Sequence, residues 1–494
     1  MSSLLQSQSA RGELTAAQAA SLLLARREMR RSLRPFIAKT FNTVDPAAEY
    51  KHNWHIDLLC EYLEACYRRD IKRLVINLPP RFMKSIACTV GFPAWVLGQN
   101  PQEQIGAASY SGNLATDHSV DCRTVMQSAW YQNLFPETRI SRGSNLKTEY
   151  DTTKQGRRWC TSVGGTATGK GGNILICDDP LNPKQALSDT ERATANTWLG
   201  QTWSSRLNDP KTGVMIMVMQ RLHTNDCTGY LLEQGGWEHL VMPNEAPTKT
   251  TVHFPSGRTV ERKEKELLHA ERVGPVETQA LKTQLGTYGY AGQYQQTPAP
   301  AGGGLIKLAW FQRFREPTAQ HAGVIRKVHS WDTAQKVGEL NDLSACTVWQ
   351  ETYTRHELLD VYAERLEAPD LQRRVIAMAE RDHPDAILIE DKSSGSSLIQ
   401  YLRATTTLPI IAVEPEGDKV MRMSNCSPTV EAGNVALPEV AEWLHDFETE
   451  ISNFPNGAHR DRGDSFSQYL NWVKNNTSAL GDFGAVGQME TSHV

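Results

Sequence analysis

Nothing in the 494 residues approaches an uninterrupted apolar run of the ~20 residues that a membrane span needs, so a bundle of membrane-spanning helices is excluded. The opening MSSLLQSQSARGELTAAQ has no basic stretch followed by an apolar one, and no secretory leader is expected. The nine cysteines are scattered singly, without a CxxC pair, and Cys60, Cys88, Cys177 and Cys346 sit in apolar runs. They are expected as reduced core residues, not as a disulfide framework or a zinc site. An excess of positive charge is also missing. A formal net charge of −4 argues against a wholly basic nucleic-acid coat while leaving room for a local basic channel. Internal repeats are absent. With 39% hydrophobic and 22% charged residues, the chain can bury more than one core, and its length suggests about two to three domains.

Residues 14–34 combine an apolar stripe with five arginines between Arg26 and Arg34, which predicts a solvated amphipathic helix, with a partner or DNA contact as the alternative. A second helix is expected over His55–Tyr67. Short apolar strands then recur at 73–78, 104–109, 158–163, 173–177, 213–219 and 239–243 with helical stretches between them, the pattern of a mainly parallel sheet covered by helices. The charged stretch 248–272 reads as a surface hairpin and helix. TPAPAGGGLI, residues 297–306, is the sharpest break and is expected to be a linker or hinge. Beyond it, strands near 325–333, 343–350, 356–363, 385–390 and 408–413 and helices near 369–382, 394–404, 418–433 and 439–453 suit a mixed sheet with an antiparallel meander. A last helix is expected after Asp464, and the tail from Asn475 reads as mobile.

The segment RLVINLPPRFMKS, residues 73–85, ends an apolar strand in Lys84-Ser85 just before another apolar run. A phosphate-binding loop usually has glycines where Leu78 and Met83 stand, because backbone N–H groups must turn inward around the phosphates. Its context carries the reading: a strand precedes, and the next helix offers its N-terminus to anions. Lys84 would contact the β- and γ-phosphates, Ser85 would ligate Mg²⁺, and Arg81 could reach the γ-phosphate. Pro80, Phe82 and Met83 complete the loop around the nucleotide. About ninety residues on, the strand ILIC ends in Asp178-Asp179, where Asp178 can hold Mg²⁺ and Asp179 can orient the attacking water. The Asp-Asp-Pro step also makes an ordinary strand-ending turn, the less favoured reading of the two. Gln220-Arg221, ending the strand 213–219, are placed to sense the γ-phosphate, and Arg123 is a candidate finger for a neighbouring subunit's nucleotide.

Past the break, Asp332 lies in HSWDTA, Asp342 opens the next strand, Glu390 ends AILIE, and Asp461 and Asp464 flank the start of SFSQYLNWV. No cysteine or histidine cluster accompanies them, and oxygen-only ligands favour Mg²⁺ or Mn²⁺ over zinc. Two such ions about 4 Å apart can activate water and stabilise the leaving oxygen in phosphodiester hydrolysis. A first-strand Asp, a fourth-strand Glu and a late-helix Asp form the pattern of an RNase H-like nuclease. Lys392, Lys419 and Arg422 could hold DNA phosphates beside the metals. As single residues, these acids and cations also fit strand-end caps and plain surface polars.

From about Trp54 to Leu470 the chain resembles the large terminase subunit of tailed bacteriophages, the motor and nuclease that packages viral DNA. The resemblance rests on PPRFMKS, TSVGGTATGKGGNILICDDP, QRLHTNDCTGYLL, QYQQTPAPAGGG, WDTA, IEDKSSGSSLIQYL, GDKVMRM and EAGNVALP, which follow in the family order. The final motif departs from the usual DDxxDA: here it is RDRGDS, leaving Asp461 as the slightly preferred third ligand and Asp464 as the alternative. The resemblance implies a helical arm over 1–50, a RecA-like P-loop ATPase over 51–296, the linker 297–306, an RNase H-like nuclease over 307–474 and a flexible tail over 475–494. It further implies ATP with Mg²⁺ in the first domain and two Mg²⁺ or Mn²⁺ in the second. Implied partners are double-stranded DNA, a portal protein, a small terminase subunit and further copies of the chain on the portal, in the host cytoplasm and without a membrane. Two other readings fit the same residues: a helicase-nuclease of repair or defence, and a catalytically inactive DNA-binding assembly subunit.

Overall fold

A computed structural model describes residues 16–167, 169–298, 305–319, 323–333, 343–392, 394–454 and 460–476. Asp342, most of the expected linker (299–304) and most of the expected tail (477–494) lie outside the described residues. The chain divides into two compact units, one spanning Met1–Thr278 with Ala291–Pro298 and the other Gln279–Tyr290 with Ala299–Val494.

The first unit is built on an eight-stranded sheet. Its strands are β1 (Arg73–Asn77), β2 (Gln104–Ser109), β3 (Ile140–Asn145), β4 (Glu149–Thr152), β5 (Arg157–Ser162), β6 (Ile174–Asp178), β7 (Val214–Met219) and β8 (Glu238–Val241), in the order β3-β4-β5-β2-β6-β7-β1-β8. From β5 to β8 every neighbouring pair is parallel. Strands β6 (ILICD) and β7 (VMIMVM) are buried at every position, as expected where helices cover both faces of a parallel sheet. Strand β7 lies between β1 and β6, so the loops leaving all three open on one edge. Strands β3 and β4 add an antiparallel ribbon that the polar sequence ISRGSN did not signal. The expected arm is two helices, Ala16–Arg31 and Leu33–Val44. The first is mostly exposed where its side chains are described, and the second buries Leu33, Phe36, Ile37 and Phe41. In the charged stretch, β9 (Thr250–His253) and β10 (Thr259–Arg262) make the expected hairpin, but the expected helix does not form within 248–272; the next helical segment, Pro275–Gln293, is broken at Gly286, φ 64°, and its residues Gln279–Tyr290 belong to the second unit.

The second unit holds a seven-stranded mixed sheet. Its strands are β11 (Gln312–Phe314), β12 (Val324–Asp332), β13 (Ser344–Thr352), β14 (His356–Glu364), β15 (Ala386–Glu390), β16 (Ile410–Val413) and β17 (Val435–Pro438), in the order β11-β17-β14-β13-β12-β15-β16. Strands β12, β13 and β14 form the antiparallel meander, while β15 and β16 add in parallel beside β12, the order expected of an RNase H-like domain. The helix Asp461–Asn476 crosses this sheet, packing Phe466, Tyr469 and Leu470 into a core with Trp349, whose ring stacks on Tyr469 at 4.3 Å.

Candidate functional sites

In the first unit the strand ends deliver the expected residues to one edge. Parallel register sets Asn77 beside Met219 and Val218 beside Asp178, so the segments after β1, β6 and β7 are neighbours. Ligands of open parallel sheets bind at this carboxyl edge. Met83 and Arg81 both take positive φ, 72° and 68°, with Phe82 buried between them. Met83 thus adopts the backbone that glycine usually supplies. Such alternation of backbone hand turns N–H groups toward one side, as an anion cradle requires. A helical turn then begins at Lys84, widens into a π-helical segment Ile86–Gly91 and continues as the α-helix Phe92–Gln99.

Lys84 Nζ lies 2.6 Å from Asp179, spanning 95 residues of sequence. Burial raises the pKa of Asp179, and the neighbouring Lys84 ammonium works against that rise. Asp178 is fully buried: Thr89 Oγ1 donates to its Oδ2 at 2.8 Å and His118 Nδ1 lies 3.6 Å from the same oxygen. Its Oδ1 has no hydrogen-bond partner among the described residues, and neither does the buried Gln220 Oε1. A buried carboxylate with one oxygen satisfied and the other open, beside a lysine and an anion cradle, fits a magnesium-bound triphosphate. Ser85 is half-buried at the start of the helix, Pro80 is half-buried and Arg81 is exposed in the loop.

Two expected nucleotide contacts are otherwise engaged. Arg221 Nε donates to Asp226 at 3.0 and 3.1 Å, and its Nη2 donates to the carbonyls of His223 and Thr224, so this guanidinium braces the turn into the helix Cys227–Gln234. Arg123 Nη1 donates to Asn145 Oδ1 at 3.1 Å and to the Leu146 carbonyl at 3.2 Å, in the ribbon of β3 and β4. Sequence reasoning missed the Thr89 support. Pro93, four residues beyond Thr89, has no N–H to give the Thr89 carbonyl, and the wholly buried Arg158 donates to it at 3.2 Å instead. The sequence carried no signal for the Thr89 hydroxyl on Asp178, a contact between residues 89 apart that only the fold brings together.

In the second unit, Trp331 pairs with Ile389 in parallel, so Asp332 and Glu390 end adjacent strands. The late helix begins at Asp461, earlier than expected, which puts both Asp461 and Asp464 in its first turn. The helix is fixed from below by buried hydrogen bonds. Ser465 Oγ donates to the Ser330 carbonyl at 2.6 Å and accepts from the Thr347 amide at 2.9 Å, and Gln468 Nε2 donates to Ser330 Oγ at 2.9 Å. Asp332, Asp461 and Asp464 consequently offer carboxylate oxygens within 4.8 Å of one another, a set suited to a hard divalent cation. The choice between Asp461 and Asp464 left open by the sequence becomes a juxtaposition of both.

Glu390 is held by Arg422, whose Nη1 donates to its Oε2 at 2.5 Å while Nη2 reaches Asp464 at 3.2 Å; Lys419 also pairs with Asp464. Lys419 and Arg422 therefore face the carboxylates directly, and Lys392 is exposed beside Glu390. Burial foremost, then the charge of Asp464, pushes Asp332 up to about 8, and burial lifts Asp464 to about 6. Acids raised in this way are prepared to exchange protons for a metal.

Among the described residues no helix is long and apolar enough to cross a membrane. Residues 329–471 match the family described as the terminase RNase H-like domain. The large terminase of a thermophilic bacteriophage superposes with a TM-score of 0.53 at 10% identity, covering 86% of this chain and 100% of that one. A second crystal form of the same terminase gives 0.50 at 10% identity, covering 83% and 98%. The nuclease domain of the large terminase from another thermophilic phage, G20c, with bound magnesium aligns with 35% of this chain and 98% of its own, at 15% identity and a TM-score of 0.27. No curated protein sequence matches the chain. Residues 329–471 thus match the terminase RNase H-like domain family, and the two-unit chain that carries them has the fold of a phage large terminase.

Proposed function

We propose that the chain is the catalytic subunit of a viral DNA-packaging machine, hydrolysing ATP in its first domain to drive double-stranded DNA into a procapsid and cutting concatemeric DNA with its second. The observation that supports this reading is the presence of two residue clusters in one polypeptide: Lys84 at 2.6 Å from Asp179 in the first domain, and Asp332, Asp461 and Asp464 in the second. In the ATPase, Lys84 would neutralise phosphate charge, Asp178 would hold the magnesium through its open oxygen, and Asp179 would orient the attacking water. In the nuclease, Asp332, Glu390, Asp461 and Asp464 would hold two Mg²⁺ or Mn²⁺ ions, which would supply an activated water and stabilise the leaving oxygen. Motor contacts to DNA phosphates carry position and little base information, so choice of the cut site falls to a small terminase subunit. The machine works as several copies on a portal in the host cytoplasm.

The test is ATP turnover by purified protein, alone, with duplex DNA and with portal-bearing procapsids. Stimulation by DNA together with portal particles, and uptake of DNA into a nuclease-protected form, are expected. Strand separation without any portal dependence would favour the helicase-nuclease reading, and absence of both hydrolysis and cleavage would favour the inactive assembly subunit.

A further inference from the structure

Asp178, at the end of β6, is fully buried with one oxygen held and the other open. The holding donor is Thr89 Oγ1, 2.8 Å from Oδ2; His118 Nδ1, 3.6 Å from the same oxygen, is too far for a hydrogen bond. Helical threonines commonly turn the hydroxyl back to a carbonyl three or four residues earlier. Thr89, 1% exposed, instead sends its hydroxyl across 89 residues of sequence to another element. Two features aim it. Thr89 lies in the π-helical segment Ile86–Gly91, where the Phe92 amide bonds the Ala87 carbonyl five residues back. A turn with an extra residue re-aims the side chains it carries, and such turns recur at functional sites. The Thr89 carbonyl is then held from outside the helix by Arg158 Nη2 at 3.2 Å. Arg158 is wholly buried on β5 among Cys122, Cys160 and Tyr150, and it makes no ion pair with a carboxylate among the described residues. A buried charge without a counter-ion is costly, so packing alone does not favour an arginine there.

We propose that Thr89 is a positioning residue of the ATPase: its hydroxyl, set by the π-helical turn and by Arg158, fixes the Asp178 carboxylate so that the open oxygen is presented to magnesium. The inference rests on the ATPase reading and adds to it the residue that aims the metal ligand. Thr89 acts through Asp178 alone. Without the hydroxyl, Asp178 keeps its charge but gains freedom to rotate, while Lys84 and the loop that cradles phosphate stay as they are. Metal affinity therefore falls and metal-free nucleotide affinity does not. Partners that orient a metal ligand in this way are worth roughly 10–100-fold in metal affinity.

The experiment measures two affinities of the full chain: that for the non-hydrolysable ATP analogue AMP-PNP in EDTA, and that for Mn²⁺ by electron paramagnetic resonance. Only Mn²⁺ binding that depends on AMP-PNP is compared, so ions held elsewhere drop out. Thr89→Val keeps the shape and removes the hydroxyl; it should weaken Mn²⁺ binding about tenfold or more and leave AMP-PNP affinity in EDTA within about twofold. Thr89→Ser, which returns the hydroxyl, should bring Mn²⁺ affinity back to within about threefold of wild type. Arg158→Lys should weaken Mn²⁺ binding when Thr89 is present and add nothing in Thr89→Val protein, because its effect passes through Thr89. Should Arg158→Lys fail to fold, the two Thr89 variants decide. Wild-type Mn²⁺ affinity in Thr89→Val, an equal loss of Mn²⁺ and metal-free nucleotide affinity, or no recovery in Thr89→Ser overturns the proposal. An Arg158→Lys loss that is the same in both backgrounds removes Arg158 from it. A wild type that neither binds AMP-PNP nor hydrolyses ATP would instead remove the ATPase reading itself.

Discussion

Met83 shows how a residue that departs from a motif can keep its geometry. Its φ of 72° lies in the region where non-glycine residues cost roughly 1–2 kcal/mol, and burial of its side chain holds it there. Met83→Gly relieves that strain and is expected to keep ATP turnover within about threefold, whereas Met83→Val, β-branched and unsuited to positive φ, loses about tenfold or more. Steady-state hydrolysis checks both, and a glycine variant without activity would show that the methionine side chain matters in its own right. The nuclease acids give a pH prediction. Their folded pKa values, about 8 for Asp332 and about 6 for Asp464, lie above those of an unfolded carboxyl, so the folded state binds protons that the unfolded state has released. Their contribution to stability is complete below the unfolded pKa and is lost as pH rises through about 6 to about 8. The melting temperature of metal-free protein should fall across that window, and Asp332→Asn should flatten the fall. A wild-type melting temperature that rises there would contradict the account. At this scale the sequence showed the cations and acids but not their supports. Arg158 reaches the Thr89 carbonyl only because β5 and the helix after Lys84 are brought together by the fold.

The elements read most easily from sequence were the continuous apolar strands, because ILIC and VMIMV are buried whole in the sheet. The edges were not legible. Strand β11 has three residues, β17 ends in Pro438, and β3 lacks alternation, so pairing partners and not local propensity make them strands. The start of the late helix was misjudged for a similar reason: Glu450 accepts from the Gly463 amide at 2.9 Å, a cap supplied from 13 residues earlier in the chain. Gly395 is the element-scale counterpart. A Cβ there would lie 1.9 Å from the Glu390 carbonyl oxygen, so the helix Ser394–Thr405 can begin against the end of β15 only with glycine. Gly395→Ala should displace Glu390 and reduce DNA cleavage about tenfold or more while ATP turnover stays unchanged. Equal cleavage by the two proteins would mean that the strand end gives way.

Across the whole molecule, charge composition concealed what topology reveals. A net charge of −4 averages over two separate sites, each pairing acids with cations: Lys84 with Asp179 in one, and Lys419 and Arg422 with Glu390 and Asp464 in the other. The most direct measurement is therefore a pair of assays, ATP hydrolysis and metal-dependent DNA cleavage, run side by side on Lys84→Ala and Asp332→Asn. Lys84→Ala should lose hydrolysis and still cut DNA, and Asp332→Asn should lose cutting and still hydrolyse ATP. Normal hydrolysis without Lys84, or normal cutting without Asp332, would contradict the assignment of two independent catalytic centres to this chain.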